Sequence, residues 1–230
     1  MDRFDELMAQ YNQKRFAISK FLNNVRYFFE NNPALNAGPM PVVHSVKYRL
    51  KDPEHLKDKI LRKEERDKDR NLIITPDNLF TEITDFAGIR ILHIYQQQFP
   101  VIHDQIVSQI NNGDWKLVEK PVAYTWDPEC EKFFKDFYFD VERKESYYTS
   151  VHYLVAPNNT EQGVCCEIQV RTLFEEIWGE IDHTINYPHQ TNVLACKEEL
   201  RVLAKLISTG TRLADAIFKT YETYRDINLE

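Results

Sequence analysis

Hydrophobic side chains recur at helical spacing at both ends of the chain and form shorter, denser runs in its middle. The spacing predicts a long amphipathic helix from residue 2 to about residue 30, followed by a loop over residues 32–41, where proline and glycine accumulate. At the other end it predicts helices over about 173–185 and 194–224, separated at Pro188. Shorter helices are predicted over about 52–66, from Pro76 onward, over about 99–111 and over about 129–135.

The runs in the middle of the chain are rich in β-branched and apolar residues and predict five strands. Residues 87–95 are apolar on both faces, as expected for a central strand that is covered on both sides. The turn-rich residues 157–163 join the last two strands and predict a β-hairpin. The predicted strands span residues 87–95, 115–124, 137–142, 150–155 and 164–171, and Pro121 marks an edge or a bulge in the second. This element order predicts an α+β or mixed-sheet domain with helical flanks.

The composition fits one soluble domain, or one domain with helical appendages, since 43% of the 230 residues are hydrophobic and 28% are charged. No apolar run approaches the roughly 20 residues that span a bilayer, and residues 1–6 lack the pattern of a signal peptide, so we expect a cytoplasmic protein without a membrane partner. The net charge of −7 argues against a general nucleic-acid coat. Residues 47–70 nevertheless carry ten Lys and Arg against seven Asp and Glu, which makes this segment the candidate for holding phosphate.

The six glycines exclude the common nucleotide-binding loops, because no two of them are closer together than 16 residues. A phosphate cradle built from backbone N–H groups needs clustered glycines, so Walker A, Rossmann and protein-kinase loops are absent from the sequence. A nucleotide bound by this chain must therefore be held by side chains.

Two acidic positions lie beside predicted strands, and each has a structural and a chemical interpretation. Glu167, Gln169 and Arg171 share one face of the last predicted strand, which is either a solvated face or a functional row of acid, amide and base. Asp85 stands just before the strand that contains Arg90, where a carboxylate is either a turn residue or a ligand for Mg²⁺.

The loop over residues 143–152 contains the adjacent Tyr147 and Tyr148. Their rings either face solvent in a β-turn or stack on a nucleobase, and in the second case Lys144 and His152 are near enough to meet phosphate. The residues of the loop alone leave both interpretations open.

Glu176, Glu180 and His183 share one face of the helix that follows the last strand. Residues 180–183 have the Glu-x-x-His spacing of di-iron helix bundles. Such bundles need a second pair of this kind, which the sequence does not contain. We therefore expect supporting or structural roles for these three side chains.

Four segments, in this order, resemble the synthetase domain of the RelA/SpoT family, the nucleotide pyrophosphokinases that make the alarmones ppGpp and pppGpp. Residues 49–59 (RLKDPEHLKDK) resemble its ATP-phosphate element, with His55 where serine is usual. Residues 85–90 (DFAGIR) resemble its Asp-x-Ala-Gly-x-Arg signature. Residues 144–152 (KESYYTSVH) and 167–172 (EIQVRT) resemble its acceptor loop and its Glu-x-Gln-x-Arg-Thr motif. Each segment alone is a weak signal, but the four together resemble a small alarmone synthetase or a toxic small alarmone synthetase.

The resemblance extends from Arg49 to Pro188. It implies an α+β fold with a mixed five-stranded sheet of nucleotidyltransferase-like type and flanking helices at both termini. We expect an N-terminal helix and linker over residues 1–40, a RelA/SpoT-like pyrophosphokinase domain over 41–190, and a C-terminal helical extension over 191–230 that packs on it.

The resemblance also implies the roles of individual side chains. Asp85 and Glu167 would face each other across the site as catalytic residues and ligands of Mg²⁺, and Glu167 could instead act as base toward an acceptor 3′-hydroxyl. ATP would be bound by Arg49, Lys51, Lys59, Arg90 and Arg171. The acceptor would be bound by Lys144, Tyr148, His152 and Gln169, with the ring of Tyr148 stacked on its base.

The acceptor loop departs from the family pattern, because Tyr147 replaces a glycine and Glu145 adds a negative charge. Three functions stay open as a result. The first is transfer of the β,γ-pyrophosphate of ATP to the 3′-hydroxyl of GDP or GTP. The second is a toxic relative that modifies the tRNA 3′-CCA end or makes an adenosine alarmone. The third, an inactive nucleotide-sensing module, is disfavoured because Asp85 and Glu167 are both present.

The expected partners follow from these functions. They are ATP with a guanine nucleotide or a tRNA 3′ end, and a second copy of the chain or an antitoxin as candidate protein partners.

Overall fold

A computed structural model describes residues 2–137, 139–158, 163–187 and 190–227 of the chain. The helix break predicted at Pro188 lies outside these residues, and so does most of the turn predicted between residues 157 and 163. The helices are α1 (Arg3–Asn31), α2 (Pro33–Asn36), α3 (Pro53–Arg66), α4 (Leu79–Glu82), α5 (Phe99–Asn111), α6 (Pro128–Lys135), α7 (Leu173–Asn186) and α8 (Leu194–Ile227). The strands are β1 (Ser45–Leu50), β2 (Ala87–His93), β3 (Trp115–Leu117), β4 (Val122–Thr125), β5 (Asp140–Arg143), β6 (Ser150–Pro157) and β7 (Cys166–Thr172).

The strands form one mixed sheet in the order β1-β2-β7-β6-β4-β5, and β3 pairs with β6 beside that path. β2 runs parallel to β7 and β4 runs parallel to β5, whereas the other pairs are antiparallel. β6 and β7 pair antiparallel from Val155 opposite Cys166 onward, which is the pairing of the predicted hairpin. The predicted α+β fold with a mixed sheet and helices at both termini is therefore confirmed.

The prediction of five strands is wrong, since the described part of the chain contains seven. β1 was missed because it is an edge strand with consecutive exposed residues, Lys47 to Arg49, and so lacks an alternating pattern. The strand predicted over 115–124 is two strands, β3 and β4, which are interrupted before Val122. Both pieces still pair with β6, so the interruption near Pro121 breaks the ladder without changing the partner.

The N-terminal helix α1 belongs to the same core as the sheet. Its buried side chains, which include Leu7, Tyr11 and Phe29, pack in one cluster with residues of β2 and β7. The ring of Tyr11 stacks on Phe86 at 5.1 Å, and its hydroxyl donates to the carbonyl oxygen of Lys51 at 2.5 Å. α1 therefore fixes the backbone on which Lys51 projects toward the site described below.

The C-terminal helices continue directly from the sheet. β7 ends at Thr172, whose hydroxyl caps the start of α7 by accepting from the backbone N–H of Glu175. Trp178 of α7 is buried against α8, and its indole N–H donates to the carbonyl oxygen of Leu200 at 3.1 Å. None of the helices in the described ranges has the length and apolarity that crossing a bilayer requires.

Candidate active site

Asp85 and Glu167 lie near the starts of two neighbouring parallel strands. Gly88 of β2 stands opposite Glu167 of β7, and Asp85 precedes β2 by one short turn. The thiol of Cys165 donates to the carbonyl oxygen of Thr84 at 3.1 Å, which ties the residues before the two strands together. Burial and the nearby charges of Asp85 and Glu167 raise the pKa of this thiol to about 12. Both carboxylates are therefore close enough to influence the same thiol.

Asp85 is held between two lysines. Its Oδ2 accepts from Nζ of Lys51 at 2.7 Å and lies 2.6 Å from Nζ of Lys59, which projects from α3. Burial alone would raise the pKa of Asp85, but the two ammonium groups outweigh it and hold that pKa below its usual value. The other oxygen, Oδ1, is buried and has no hydrogen-bond partner. Asp85 is therefore ionised and has one oxygen available for a further ligand.

Arg49 and Arg90 border a cavity of about 280 Å³ above β1, β2 and β7. Glu167 and Gln169 line the same cavity from β7. The Arg49 side chain crosses Gly88, with its Cγ and Nε 3.9 Å from the place where a Cβ on that residue would stand. Two guanidinium groups and the Glu167 carboxylate thus line the same cavity.

Arg90 is already paired with carboxylates of α7. It donates from Nη1 to Glu176 at 3.1 Å and to Glu180 at 2.7 Å. Nζ of Lys47 donates to the same Glu176 oxygen at 2.8 Å. Burial would raise the pKa of Glu176, but the hydrogen bond from Lys47 and the charges of Arg171 and Arg90 lower it to about 2. Glu176 therefore carries its negative charge beneath these cations.

Arg171, which the sequence predicts as an ATP ligand, lies in the wall of the site. Its side chain is 3% exposed and forms an ion pair with Glu176. Its guanidinium packs beneath the ring of Tyr148, 5.6 Å from the centroid, and one nitrogen is 3.0 Å from the position of a Cβ on Gly179. The structure therefore brings Arg171 to the site as a support for Tyr148 and Glu176.

Glu167 accepts a hydrogen bond at each carboxylate oxygen. Nδ1 of His152 lies 3.1 Å from Oε1, and Nε2 of Gln169 donates to Oε2 at 2.6 Å. The remaining ring nitrogen of His152 lies 3.0 Å from the hydroxyl of Tyr148. Burial would raise the pKa of Glu167, but the hydrogen bonds from His152 and Gln169 outweigh both burial and the charge of Asp85 and lower it. His152 and Gln169, predicted as acceptor ligands, thus contact Glu167.

Lys144 does not line the cavity that Arg49, Arg90 and Glu167 share. Its ammonium group sits over the ring of Tyr124 at 4.1 Å and pairs with Glu142 at 3.1 Å. In the same loop Tyr147 has φ of 63°, the left-handed conformation that glycine adopts most readily. Tyr147 therefore has the backbone conformation that glycine favours, at the position where the family pattern has a glycine.

A larger cavity of about 650 Å³ continues from the first toward α7. Tyr147 and Tyr148 line one part of it, and His183 and Tyr187 line another. The His183 and Tyr187 rings are stacked at 4.5 Å, and the guanidinium of Arg62 from α3 covers Tyr187 at 5.1 Å. Pockets for small ligands commonly have volumes of about 300–1,000 Å³, so the space suits a nucleotide.

The donor set suits Mg²⁺. No group of three or more His, Cys, Asp and Glu side chains that could hold a metal occurs among the residues that the structure covers. Mg²⁺ usually takes one or two protein carboxylates and completes its shell with water and substrate phosphates. Asp85, with its unpartnered buried Oδ1, and Glu167 fit this pattern.

Sequence reasoning missed three contributors to the site. Lys47 belongs to the strand that was not predicted, and its charge is used on Glu176. Arg62 covers the ring of Tyr187, which lines the larger cavity, although the two residues are far apart in the sequence. The helical spacing of Glu176 and Glu180 indicated a shared face, but not that this face meets Arg90.

Comparison with known proteins places these segments in a family. Residues 48–192 match the protein-family model described as the region found in RelA and SpoT proteins. The chain belongs to the RelA/SpoT family. The matched region contains Asp85, Glu167 and the acceptor loop, and also the α7 residues that pair with Arg90.

Individual relatives of this family agree with the assignment. The chain is 28% identical over 113 residues to the GTP pyrophosphokinase YjbM of Bacillus subtilis (strain 168), which is 47% of this chain and 44% of that protein. The matched stretch thus spans less than half of that relative. The fold is similar to small alarmone synthetase 1 from Bacillus subtilis (TM-score 0.66, 19% identity, 97% of this chain and 100% of that one). It is also similar to a GTP pyrophosphokinase family protein from Streptococcus pneumoniae (TM-score 0.68, 20% identity, 99% and 98%).

Proposed function

We propose that the protein is an ATP-dependent pyrophosphokinase that transfers the β,γ-pyrophosphate of ATP to the 3′-hydroxyl of GDP or GTP. One observation carries the proposal: Asp85, with two lysines on one oxygen and none on the other, precedes the strand that pairs with the strand of Glu167, and Glu167 lines a cavity together with Arg49 and Arg90. The similarity to the GTP pyrophosphokinase YjbM supports the same reaction.

The donor nucleotide would be held by cationic side chains. Arg49 and Arg90 line the cavity, and Lys51 and Lys59 both pair with Asp85 shortly before β2. Arginine binds phosphate through a planar fork of donors, and lysine acts as a compact point charge. Such a set replaces the backbone cradle that the scattered glycines cannot form.

Asp85 and Glu167 would hold Mg²⁺, whose charge would offset that of the ATP phosphates. The lysines on Asp85 keep it ionised for this role, because their charges lower its pKa. Each oxygen of Glu167 accepts one hydrogen bond, from His152 or from Gln169, and so keeps a second lone pair. These remaining lone pairs can bind either the ion or a proton.

The acceptor would lie against the tyrosine-lined part of the larger cavity, with its base on the ring of Tyr148. Its 3′-hydroxyl gives a proton to Glu167, and the oxygen forms a bond to the β-phosphorus of ATP. The bond between the β-phosphorus and the oxygen that bridges it to the α-phosphorus breaks. AMP leaves with the electron pair of that bond. Positioning and charge neutralisation carry most of such a transfer, which suits a site of acids and cations.

A second candidate acceptor is the 3′ end of an RNA, such as the tRNA 3′-CCA end. The observation that favours it is a row of exposed cations on and after α3, Arg66, Lys68 and Arg70, whose side chains are all about two-thirds exposed or more and whose pairs with Asp67 and Glu65 a phosphate chain would have to displace. Arg62 of α3 covers Tyr187, which lines the larger cavity. A backbone of phosphates could therefore follow α3 into the site.

Incubation with γ-³²P-labelled ATP and one acceptor at a time tests the proposal. GDP, GTP, ATP and deacylated tRNA are compared, and we expect label on the guanine nucleotides. Label on the RNA alone would replace the first candidate with the second. Absence of transfer to every acceptor, with ATP binding retained, would overturn both and identify a nucleotide-sensing module.

A further inference from the structure

Tyr148, His152 and Glu167 form a continuous hydrogen-bonded line that leads from the acceptor side of the site to its acid. The Tyr148 hydroxyl lies 3.0 Å from Nε2 of His152, and Nδ1 of the same ring lies 3.1 Å from Oε1 of Glu167. Gln169 donates to the other Glu167 oxygen at 2.6 Å. Each oxygen of the carboxylate thus has one fixed partner.

The direction of these bonds follows from the chemistry of the groups. An ionised carboxylate only accepts, so Nδ1 of His152 must carry a proton and donate to Glu167. In a neutral imidazole the second nitrogen then lacks a proton and accepts. The hydroxyl of Tyr148 therefore donates to Nε2, and the tautomer of His152 is set from both sides.

The sheet gives this line a rigid base. His152 of β6 stands directly opposite Gln169 of β7, and Glu167 lies two residues along on the same face of β7. The edge of the His152 ring also packs on Tyr124 of β4, with centroids 4.8 Å apart. Three neighbouring strands thus restrain a glutamate that would otherwise sample several rotamers.

We propose that His152 and Tyr148 are positioning residues for Glu167, and that Tyr148 links recognition of the acceptor base to the orientation of the general base. The inference rests on the proposed function and deepens it. A ring that stacks on the acceptor is the same ring that orients His152. Binding energy from the acceptor base would therefore be used at the reacting hydroxyl, which raises kcat and not only affinity.

The variant Tyr148→Phe tests this link, because it keeps the stacking ring and removes the hydroxyl that bonds His152, together with the contact of that hydroxyl with Ser150. We expect kcat to fall about tenfold while KM for the acceptor stays within about twofold. The control is Tyr153→Phe, since the Tyr153 hydroxyl on the same strand bonds Nδ1 of His103 at 2.9 Å in the core. It removes the same kind of bond and should leave kcat unchanged.

The variant His152→Asn separates the two steps of the line. Its amide nitrogen can take the place of Nδ1 and donate to Glu167, but it has no acceptor for Tyr148. We expect a kcat near that of Tyr148→Phe, and a further fall of about tenfold for His152→Ala, which removes both contacts. Unchanged kcat in Tyr148→Phe, or a loss confined to KM, would overturn the inference while transfer by the unmodified protein keeps the proposed function.

The ¹⁵N spectrum of histidine-labelled protein provides a readout that does not depend on activity. We expect the His152 signals, assigned by their loss in His152→Asn, to be those of a neutral ring protonated at Nδ1, and to change in Tyr148→Phe. A ring that carries its proton at Nε2 and not at Nδ1 would overturn the inference. If no acceptor is labelled but this tautomer is found, the proposed function is wrong, whereas the hydrogen bonds from Tyr148 through His152 to Glu167 are supported.

Discussion

Arg90 donates to Glu180 over 2.7 Å, so a cation proposed to meet ATP is already paired inside the protein. The two residues lie on β2 and α7, and both line the larger cavity. The Glu180 side chain is 53% exposed, and exposed ion pairs contribute only about 0–1 kcal/mol. A triphosphate can therefore displace Glu180 from Arg90, but it must compete with it.

Removing this competitor should strengthen ATP binding. We expect Glu180→Gln to lower KM for ATP about two- to fivefold with kcat unchanged, the effect of an exposed pair of about 0.4–1 kcal/mol. Initial rates over a range of ATP concentrations at constant acceptor measure it. The matched control is Glu30→Gln on α1, which breaks a surface pair with Arg26 and should leave both constants unchanged. A higher KM in Glu180→Gln would instead make Glu180 a binding residue.

Glu176 stands under the same cations but is buried, and its loss should affect folding. Its side chain is 5% exposed and pairs with Lys47, Arg90 and the buried Arg171. Removing one partner of a buried ion pair leaves an uncompensated charge, so we expect Glu176→Gln to lower the free energy of unfolding by about 3 kcal/mol. Urea denaturation measures this value. Glu180→Gln, on the same helix, should lose no more than about 1 kcal/mol.

The same carboxylate predicts how stability depends on pH. The pKa of Glu176 falls from its usual value of 4.5 to about 2 in the folded protein. A depressed pKa contributes stability that is fully present above the usual pKa and is lost as the pH falls toward the folded value. We therefore expect the free energy of unfolding to decrease between about pH 5 and pH 2, and to decrease less steeply in Glu176→Gln. Equal slopes in the two proteins would assign acid sensitivity to other groups.

The two acids of the site give the most direct test of the chemistry. We expect Asp85→Asn and Glu167→Gln each to abolish measurable transfer, because one loses the charge held between two lysines and the other the base. Circular dichroism should show an intact fold in both, since the sheet hydrogen bonds do not involve these side chains. Retained transfer in either variant would contradict the role given to that residue.

The fold was predictable wherever burial leaves a periodic pattern. The apolar spacing of α1 and the two-sided apolar run of β2 each mark an element whose existence the structure confirms. β1 was not predictable in this way, because it lies at the sheet edge and its exposed residues do not alternate. The division of residues 115–124 into two strands depends on how each of them pairs with β6. The local sequence does not determine this pairing.

The sequence predicts which residues belong to the site, but it does not predict which of them contact each other. The motifs selected Glu167, His152 and Gln169, and the structure places them together. Their partners depend on register, since His152 meets Glu167 only because β6 and β7 align it opposite Gln169. Arg171 shares a strand face with Glu167 in sequence, yet it is buried by contacts from α7 that no strand pattern could show.

Tyr147 combines an unfavourable backbone conformation with a favourable side-chain contact. Its φ of 63° lies in the left-handed region, which costs a residue with a Cβ roughly 1–2 kcal/mol. Its ring packs edge-on against Trp126 with centroids 5.2 Å apart, next to the α7 and α8 helices. Substitution by glycine loses only the contact, whereas substitution by alanine loses the contact and keeps the cost.

We therefore expect an inverted order of stability at this position, with Tyr147→Gly more stable than Tyr147→Ala by about 1 kcal/mol in urea denaturation. Glycine is ordinarily the less stable of the two because its unfolded chain has more freedom. The neighbouring Tyr148, whose φ is not positive, is the control, and there the glycine variant should be the less stable one. If alanine is the better residue at both positions, the left-handed conformation of Tyr147 costs nothing, and the missing glycine leaves the acceptor loop unstrained.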